Sequence, residues 1–232
     1  MIELRKAADR GFFDHGWLQT AHSFSFADYY DPAQMGWSVL RVINDDVIAP
    51  AAGFGTHGHR DMEIVTYMLS GTLRHGDSLE NSEELRRPEV QRMSAGRGVR
   101  HSEFNGSADT EAHLLQIWIE PDVRGIAPEY EQRAFPNAEK RGRWRTLVSP
   151  DGRDDSMIIH QDAVLSAALL APGERLTQTV AAGRRGYVHV ASGALSLNGI
   201  ALATGDGAKI SAESQLEFVA VDDSDILYFD LP

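Results

Sequence analysis

The apolar residues of this chain come in runs too short for long helices, and turn-forming residues interrupt them throughout. Residues 38–43, 63–69, 113–119, 156–160, 186–191, 194–197 and 225–229 are rich in Val, Ile, Leu and aromatics. Gly, Asp, Asn or Pro separates them. Many short β-favouring runs with frequent turn signals predict an all-β sandwich or barrel. One helix is predicted over 128–135, and 162–170 reads equally as helix or buried strand, because short apolar runs do not separate the two.

Two stretches are self-similar. EIVTYMLSGTLRHG from Glu63 parallels RGYVHVASGALSLNG from Arg185 when Ser70-Gly71 is set on Ser192-Gly193, an offset of 122 residues. SAGRGVRHSEF from Ser94 parallels TGDGAKISAESQ from Thr204, an offset of 110. A longer charged loop at 77–88 in the first copy accounts for the difference. The expectation is a degenerate repeat, with one β-unit over 1–125 and a second over 126–232.

Composition removes several classes of function. The 232 residues carry 22 Lys+Arg against 34 Asp+Glu, a formal charge of −12. With no basic block, neither nucleic acid nor an anionic membrane surface is favoured. Cysteine is absent, so any metal is held by nitrogen and oxygen, not thiolate. The first residues, MIELRKAADRGFFDHGW, lack the apolar core of a signal peptide. The longest apolar stretch, 163–171, falls far short of the ~18 residues of a membrane span. A soluble, cytoplasmic protein is expected.

The chemistry concentrates in two segments. GFGTHGHRDME places His57, His59 and Glu63 at odd positions, which share one face if the strand is continuous. GVRHSEFN places His101 and Glu103 together by the same parity. Two strands facing each other across a barrel would present three imidazoles and a carboxylate to one point. Imidazole and carboxylate without thiolate suit iron, manganese, nickel, copper or zinc. A site with an open position polarises a bound oxyanion or binds dioxygen, whereas a closed one is structural. Parity leaves open which glutamate is the fourth ligand; Glu63 equally suits a carboxylate that hydrogen-bonds a ligand from outside.

These segments resemble the two cupin motifs: Gly53, His57, His59, Glu63 and Gly71, then Gly98, His101 and Asn105. Gly53 lies closer to His57 than the usual pattern has it, and Gly96 stands where a proline is usual. The runs HGWLQTAHSFSFADYYDPAQMGWSVLRVINDD, THGHRDMEIVTYMLSG and MSAGRGVRHSEFN more specifically resemble the pirin family of bicupins. The likeness is close over 15–105 and loose in the second half. It implies two antiparallel cupin-type barrels, with one divalent metal in the first, held by His57, His59, His101 and Glu103. It implies iron(II) as the usual metal, with zinc, manganese, nickel, copper or cobalt acceptable to the same ligands, and quercetinase activity among bacterial members.

On that basis the expected function is a dioxygenase that opens the heterocycle of a flavonol with O2, with Glu103 or Glu63 as base. The rivals are a pirin-type iron-dependent redox sensor and a zinc or manganese sugar cupin, the latter served by Arg60, Arg97 and Arg100 near the ligands. Transferred by the two offsets, His57, His59, His101 and Glu103 correspond to Thr179, Ala181, Ser211 and Glu213, so the second unit is expected to hold no transition metal. Two barrels in one chain make a monomer the expected state. Phe54, Met62, Tyr67 and Phe104 are candidates for an apolar pocket wall. Gln116 and Trp118 share a strand face and are candidates for substrate contact, with core packing the default. His75 is read as a surface loop residue, His113 as a barrel-mouth or core residue, His15 and His22 as structural, and His160 as an inter-barrel contact.

Overall fold

The short runs become strands, and the turns between them decide how those strands are shared between sheets. The computed structural model describes residues 1–232. In chain order the strands are β1 (Ile2–Arg5), β2 (Gly11–Asp14), β3 (Leu18–His22), β4 (Leu40–Ile48), β5 (Gly53–His59), β6 (Glu63–Ser70), β7 (Thr72–Asp77), β8 (Ser82–Arg86), β9 (Glu89–Ser94), β10 (Val99–Asn105), β11 (Ala112–Ile119) and β12 (Glu129–Ala134). A one-turn helix, α1 (Asn137–Lys140), precedes β13 (Arg145–Ser149), β14 (Met157–Ile158), β15 (Val164–Leu170), β16 (Arg175–Thr179), β17 (Arg185–Ser192), β18 (Ala194–Leu197), β19 (Ile200–Ala203), β20 (Gly207–Ile210), β21 (Gln215–Ala220) and β22 (Ser224–Leu231). None of the helices is long and apolar enough to cross a membrane.

Each half of the fold pairs a seven-stranded sheet with a four-stranded one. The first has orders β12-β9-β6-β11-β4-β3-β2 and β5-β10-β7-β8; the second has β1-β20-β17-β22-β15-β13-β14 and β16-β21-β18-β19. The two orders correspond strand for strand, β6 with β17, β11 with β22, β4 with β15 and β10 with β21. The repeat is therefore one of topology, and the architecture is the all-β, two-barrel arrangement of a bicupin.

Three expectations are corrected here. Residues 129–134 form β12, not a helix, because β9 offers a free edge: Glu129 pairs with Ser94 and continues in register to Ala134 opposite Glu89. Tertiary pairing overrides local helix preference, and the helix falls later, at Asn137–Lys140. The ambiguous stretch is strand β15, hydrogen-bonded between β13 and β22. The division at 125/126 is displaced at both ends, since β12 completes the first barrel while β1 pairs with β20 of the second.

Burial explains the arrangement. The largest core, 22 residues including Ile43, Val65, Tyr67, Leu115 and Ile117 from one side and Leu165, Tyr187, Leu227 and Phe229 from the other, lies between the two seven-stranded sheets. A second core of 15 residues fills the second barrel. Inside the first barrel the apolar groups are split into clusters of 7 and 4 residues. Polar side chains occupy the space between those two clusters, and that space is the candidate site.

One buried ionic group ties the barrels together at the edge of their shared core. Asp225 accepts hydrogen bonds from Tyr67 Oη at 2.9 Å and Arg87 Nη2 at 2.8 Å, and Lys140 Nζ lies 3.3 Å from the same tyrosine oxygen.

Candidate metal centre

Three adjacent strands of the four-stranded sheet supply the cluster. In β10, His101 stands opposite His57 of β5 on one side and opposite Asp77 of β7 on the other. Glu103 stands opposite His75 of β7. The strands lie side by side, not across the barrel as expected, so cross-strand neighbours and the i, i+2 alternation bring the ligand atoms together. A register shift between His101 and Glu103 keeps β5 in step with β10. Gly53 is required at that crossing, since a Cβ there would come within 2.4 Å of the Glu103 carbonyl oxygen.

The imidazoles converge through one kind of nitrogen. His101 Nε2 lies 2.8 Å from His59 Nε2 and 3.0 Å from His57 Nε2. His57 Nδ1 donates to the Gly55 carbonyl at 2.9 Å, which leaves its Nε2 as a lone-pair donor. Burial, reinforced by the neighbouring imidazoles, holds His59 down to about 4 and His101 down to about 3, so both rings are neutral near pH 7. Lone pairs this close repel unless a proton or a metal cation lies between them. With metal–nitrogen bonds of ~2.1 Å, ligands at right angles sit ~3.0 Å apart and tetrahedral ligands ~3.4 Å apart. The observed spacings fit the right-angled arrangement, and the donor set fits a borderline divalent metal.

Glu103 is fixed by a closed ring of hydrogen bonds. Its Oε1 accepts from Gln91 Nε2 at 3.1 Å and its Oε2 from Gln116 Nε2 at 2.8 Å. Thr66 Oγ1 donates to Gln116 Oε1 at 2.9 Å and accepts from Gln91 Nε2 at 3.3 Å. Burial pushes the Glu103 carboxyl up to about 7, with Gln91 pulling it down and nearby Asp46 pushing it further up. One oxygen of this carboxylate shares a group of potential ligand atoms, all within 4.8 Å, with His75 and His101.

A cavity of about 490 Å³ opens beside the imidazoles. Trp17, Phe26, Phe54 and Trp118 form its apolar wall, while Asn44, Asp46, Glu103 and Gln116 are polar. Trp17 meets Phe54 edge-on at 5.1 Å, and Phe26 meets Trp118 likewise at 5.1 Å. Such a cavity, apolar with a few convergent polar groups, suits a planar organic ligand. Another groove, between Arg87, Asn137 and Asp223, lies at the barrel junction, away from these imidazoles.

Several side chains differ from their sequence-based placement. Glu63 does not join His57 and His59, because the turn at 60–62, with Asp61 at φ 48°, resets the strand phase. On β6 the even residue Thr66 faces the site, while Val65 and Tyr67 join the inter-barrel core. Glu63 shares their face and accepts a hydrogen bond from Ser94 Oγ at 2.7 Å. His75 is fully buried, not a loop residue; its Nε2 lies 3.0 Å from Asp77 Oδ2 and its ring stacks on Tyr130 at 4.6 Å. Of the four proposed pocket-wall residues only Phe54 lines the cavity. Tyr67 belongs to the inter-barrel core, Met62 packs against Ile64 and Met93, and Phe104 is 39% exposed. Trp17 and Phe26 line the cavity as well, outside the predicted strands, although the alternation Ser23-Phe24-Ser25-Phe26 is a signal that could have found the second. Gln116 and Trp118 face the cavity. His113 is hydrogen-bonded to Asp45 Oδ1 at 2.6 Å, and His160 approaches Glu129 of β12 at 3.4 Å, the inter-barrel contact expected. Arg60, Arg97 and Arg100 line an outer groove that His59 also borders.

The second barrel's equivalent positions also shift. Leu195 pairs with Ala220 where Leu73 pairs with Asn105, so β21 follows β10 at an offset of 115, not 110. His101 and Glu103 then correspond to Leu216 and Phe218, not Ser211 and Glu213, which precede β21. Leu216 pairs with Gln178 as His101 pairs with His57, which makes Gln178 and Val180 the counterparts of His57 and His59, not Thr179 and Ala181. Val180, Leu216 and Phe218 belong to the apolar core of that barrel.

Two barrels with a His-rich cluster in the first place the molecule among the bicupins. Sequence comparison narrows this: the Pirin family model matches residues 3–119, and the model described as quercetinase C-terminal cupin domain matches 146–231. The chain belongs to the pirin family. It is 49% identical to a protein of Escherichia coli (strain K12) named quercetin 2,3-dioxygenase, over all of this chain and 99% of that one. It is 42% identical to a pirin-like protein of Caulobacter vibrioides, over 99% of each. Among solved structures, the E. coli bacterial pirin YhhW in complex with nickel(II) superimposes with a TM-score of 0.96 at 49% identity, covering 100% of this chain and 99% of that one.

Proposed function

We propose that this chain is a metal-dependent dioxygenase that opens the heterocycle of a flavonol such as quercetin, using one divalent metal held by His57, His59, His101 and Glu103. The observation that carries it is the convergence of three imidazole Nε2 atoms, 2.8 and 3.0 Å apart, at an aromatic-walled cavity. The name of the E. coli relative and the nickel in the E. coli pirin support the same reading. The right-angled spacing favours iron(II) or nickel(II) over tetrahedral zinc. When bound, the metal supplies a Lewis acid for the flavonol's 3-oxygen and a partner for dioxygen.

The chain's own residues do the rest. Trp17, Phe26, Phe54 and Trp118 hold the flat ring system and exclude water. Glu103, with its orientation fixed by Gln91 and Gln116, is the carboxylate placed to accept the 3-hydroxyl proton. Glu63, turned to the opposite face of β6, takes no part. Overall, both atoms of O2 enter the product and the ring carbon between the cleaved bonds leaves as carbon monoxide. The aromatic wall of the cavity favours a small-molecule reaction over a partner-binding redox sensor, and favours a flat aromatic ligand over a phosphosugar.

The test is quercetin consumption in air by iron(II)- and nickel(II)-loaded protein, followed by loss of flavonol absorbance and by carbon monoxide release. Turnover that requires both metal and oxygen, and disappears in His101→Ala, is expected. No turnover with one metal bound per chain, or equal turnover in metal-free protein, would overturn it.

A further inference from the structure

One wall of the cavity carries polar groups that nothing in the protein satisfies. Thr20 Oγ1, His22 Nδ1, Asn44 Oδ1, Asp46 Oδ1 and Trp118 Nε1 are all buried without a hydrogen-bond partner. Four of them form a two-by-two block: β3 and β4 pair Thr20 with Asp46 and His22 with Asn44. Gln116, which holds Glu103, is the next cross-strand neighbour of Asn44 on β11. Asn44, Asp46 and Trp118 line the cavity itself. Asn44 and Asp46 are 5% and 3% exposed. Buried polar groups normally find partners, and a carboxyl left without one is costly. The contrast with Glu103 is informative: of two carboxyls in one cavity, one has both oxygens held by protein amides, while the other has its Oδ1 buried without a partner.

We infer that the β3–β4 wall recognises hydroxyl groups of the substrate other than the one at the metal, with Asp46 and Asn44 as its acceptors. This rests on the flavonol reading above and sharpens it to polyhydroxylated aromatic rings. Two residues apart on one strand, the acceptors stand ~7 Å apart, a distance one phenolic ring system spans while its faces lie against Trp118 and Phe54. Asp46 is a specificity residue here: its oxygens meet substrate donors and make no hydrogen bond to Glu103, whose partners are Gln91 and Gln116.

The test is anaerobic binding of two flavonols to the nickel(II)-loaded full chain, read from the flavonol absorption shift. 3-Hydroxyflavone carries only the metal-facing hydroxyl; quercetin carries the same group and further phenolic hydroxyls. Quercetin is expected to bind about fivefold more tightly, as for one net hydrogen bond of ~1 kcal/mol. Asp46→Leu should remove that preference and leave 3-hydroxyflavone within about twofold of wild type. Asp46→Asn, which keeps the shape and one acceptor oxygen, should lose only part of it. If Asp46→Leu does not retain nickel, Asp46→Asn and the wild-type preference decide. Equal binding of the two flavonols by wild type, or equal weakening of both by Asp46→Asn, would overturn the inference alone. Failure of wild type to bind either would overturn the flavonol reading and the inference with it.

Discussion

Replacing Gln116 by Leu tests whether the ring around Glu103 exists to hold a metal ligand. The amide donates to Glu103 Oε2 at 2.8 Å, and Leu fills a similar volume without the donor. A hydrogen bond to a charged acceptor is worth ~1.5–3 kcal/mol. Gln91 still holds the other oxygen at 3.1 Å, so the lower end applies, and ~1.5 kcal/mol is about tenfold in affinity. The range usual for residues that orient metal ligands, about 10–100-fold, agrees. Thr66→Val removes neutral bonds to Gln116 and Gln91, worth ~1 kcal/mol, about fivefold. Because Thr66 acts on Glu103 only through these two amides, the double variant should lose less than the sum of the two single losses. Nickel affinity is measured by competition with a chelator, alongside thermal unfolding of the metal-free proteins. Wild-type affinity in a folded Gln116→Leu protein, or additive losses in the double variant, would refute the reasoning.

Other outcomes follow from the same geometry. His101→Ala, which removes the nitrogen common to both short contacts, should lower bound nickel from one per chain to near none by elemental analysis. His189 is fully buried with neither ring nitrogen bonded, and burial lowers it from 6.5 to about 4. Its neutral form is favoured on folding, so its contribution is intact above pH 6.5 and is lost as pH falls towards 4. That loss is about 2 kcal/mol by pH 5 and ~3 kcal/mol in full, so His189→Phe should flatten the acid side of a denaturant-measured stability profile. Asp225→Ala leaves Arg87 and Tyr67 without their acceptor and buried Lys140 without a neighbouring negative charge. A loss of ~3 kcal/mol in unfolding free energy is expected, near the low end for broken buried pairs because Arg87 reaches solvent.

The strands and the imidazoles were legible because each depends on neighbours within a few residues. Runs such as 63–69 and 113–119 have β-branched and aromatic content that few other environments accept, and His57, His59 and His101 sit on strands that keep their phase. What failed were inferences carried across a break. Glu63 follows a turn that switches its face, and the alternation that served for His57 and His59 ended there. The offset of 110 aligned similar letters on either side of a loop, whereas the backbone register of β21 demands 115. His75 was misplaced because a Gly-flanked polar stretch looks like a loop until its strand is seen beside β10. Trp17 and Phe26 approach the cavity from segments outside the predicted strands, and only long-range folding brings them in.

The pairing of β1 with β20 has a consequence for how the protein is made. Ile2 finds its partner only at Ile210, so β1 is completed by a strand made long after it. At ~5–20 residues per second, β1 waits roughly 10–40 s before its partner exists. The first barrel can close its own sheets in that interval, while the opening residues stay unplaced until the other barrel is nearly finished. A fusion or tag fixed too closely to Met1 would therefore be expected to disturb the second barrel first, far along the chain from the point of attachment.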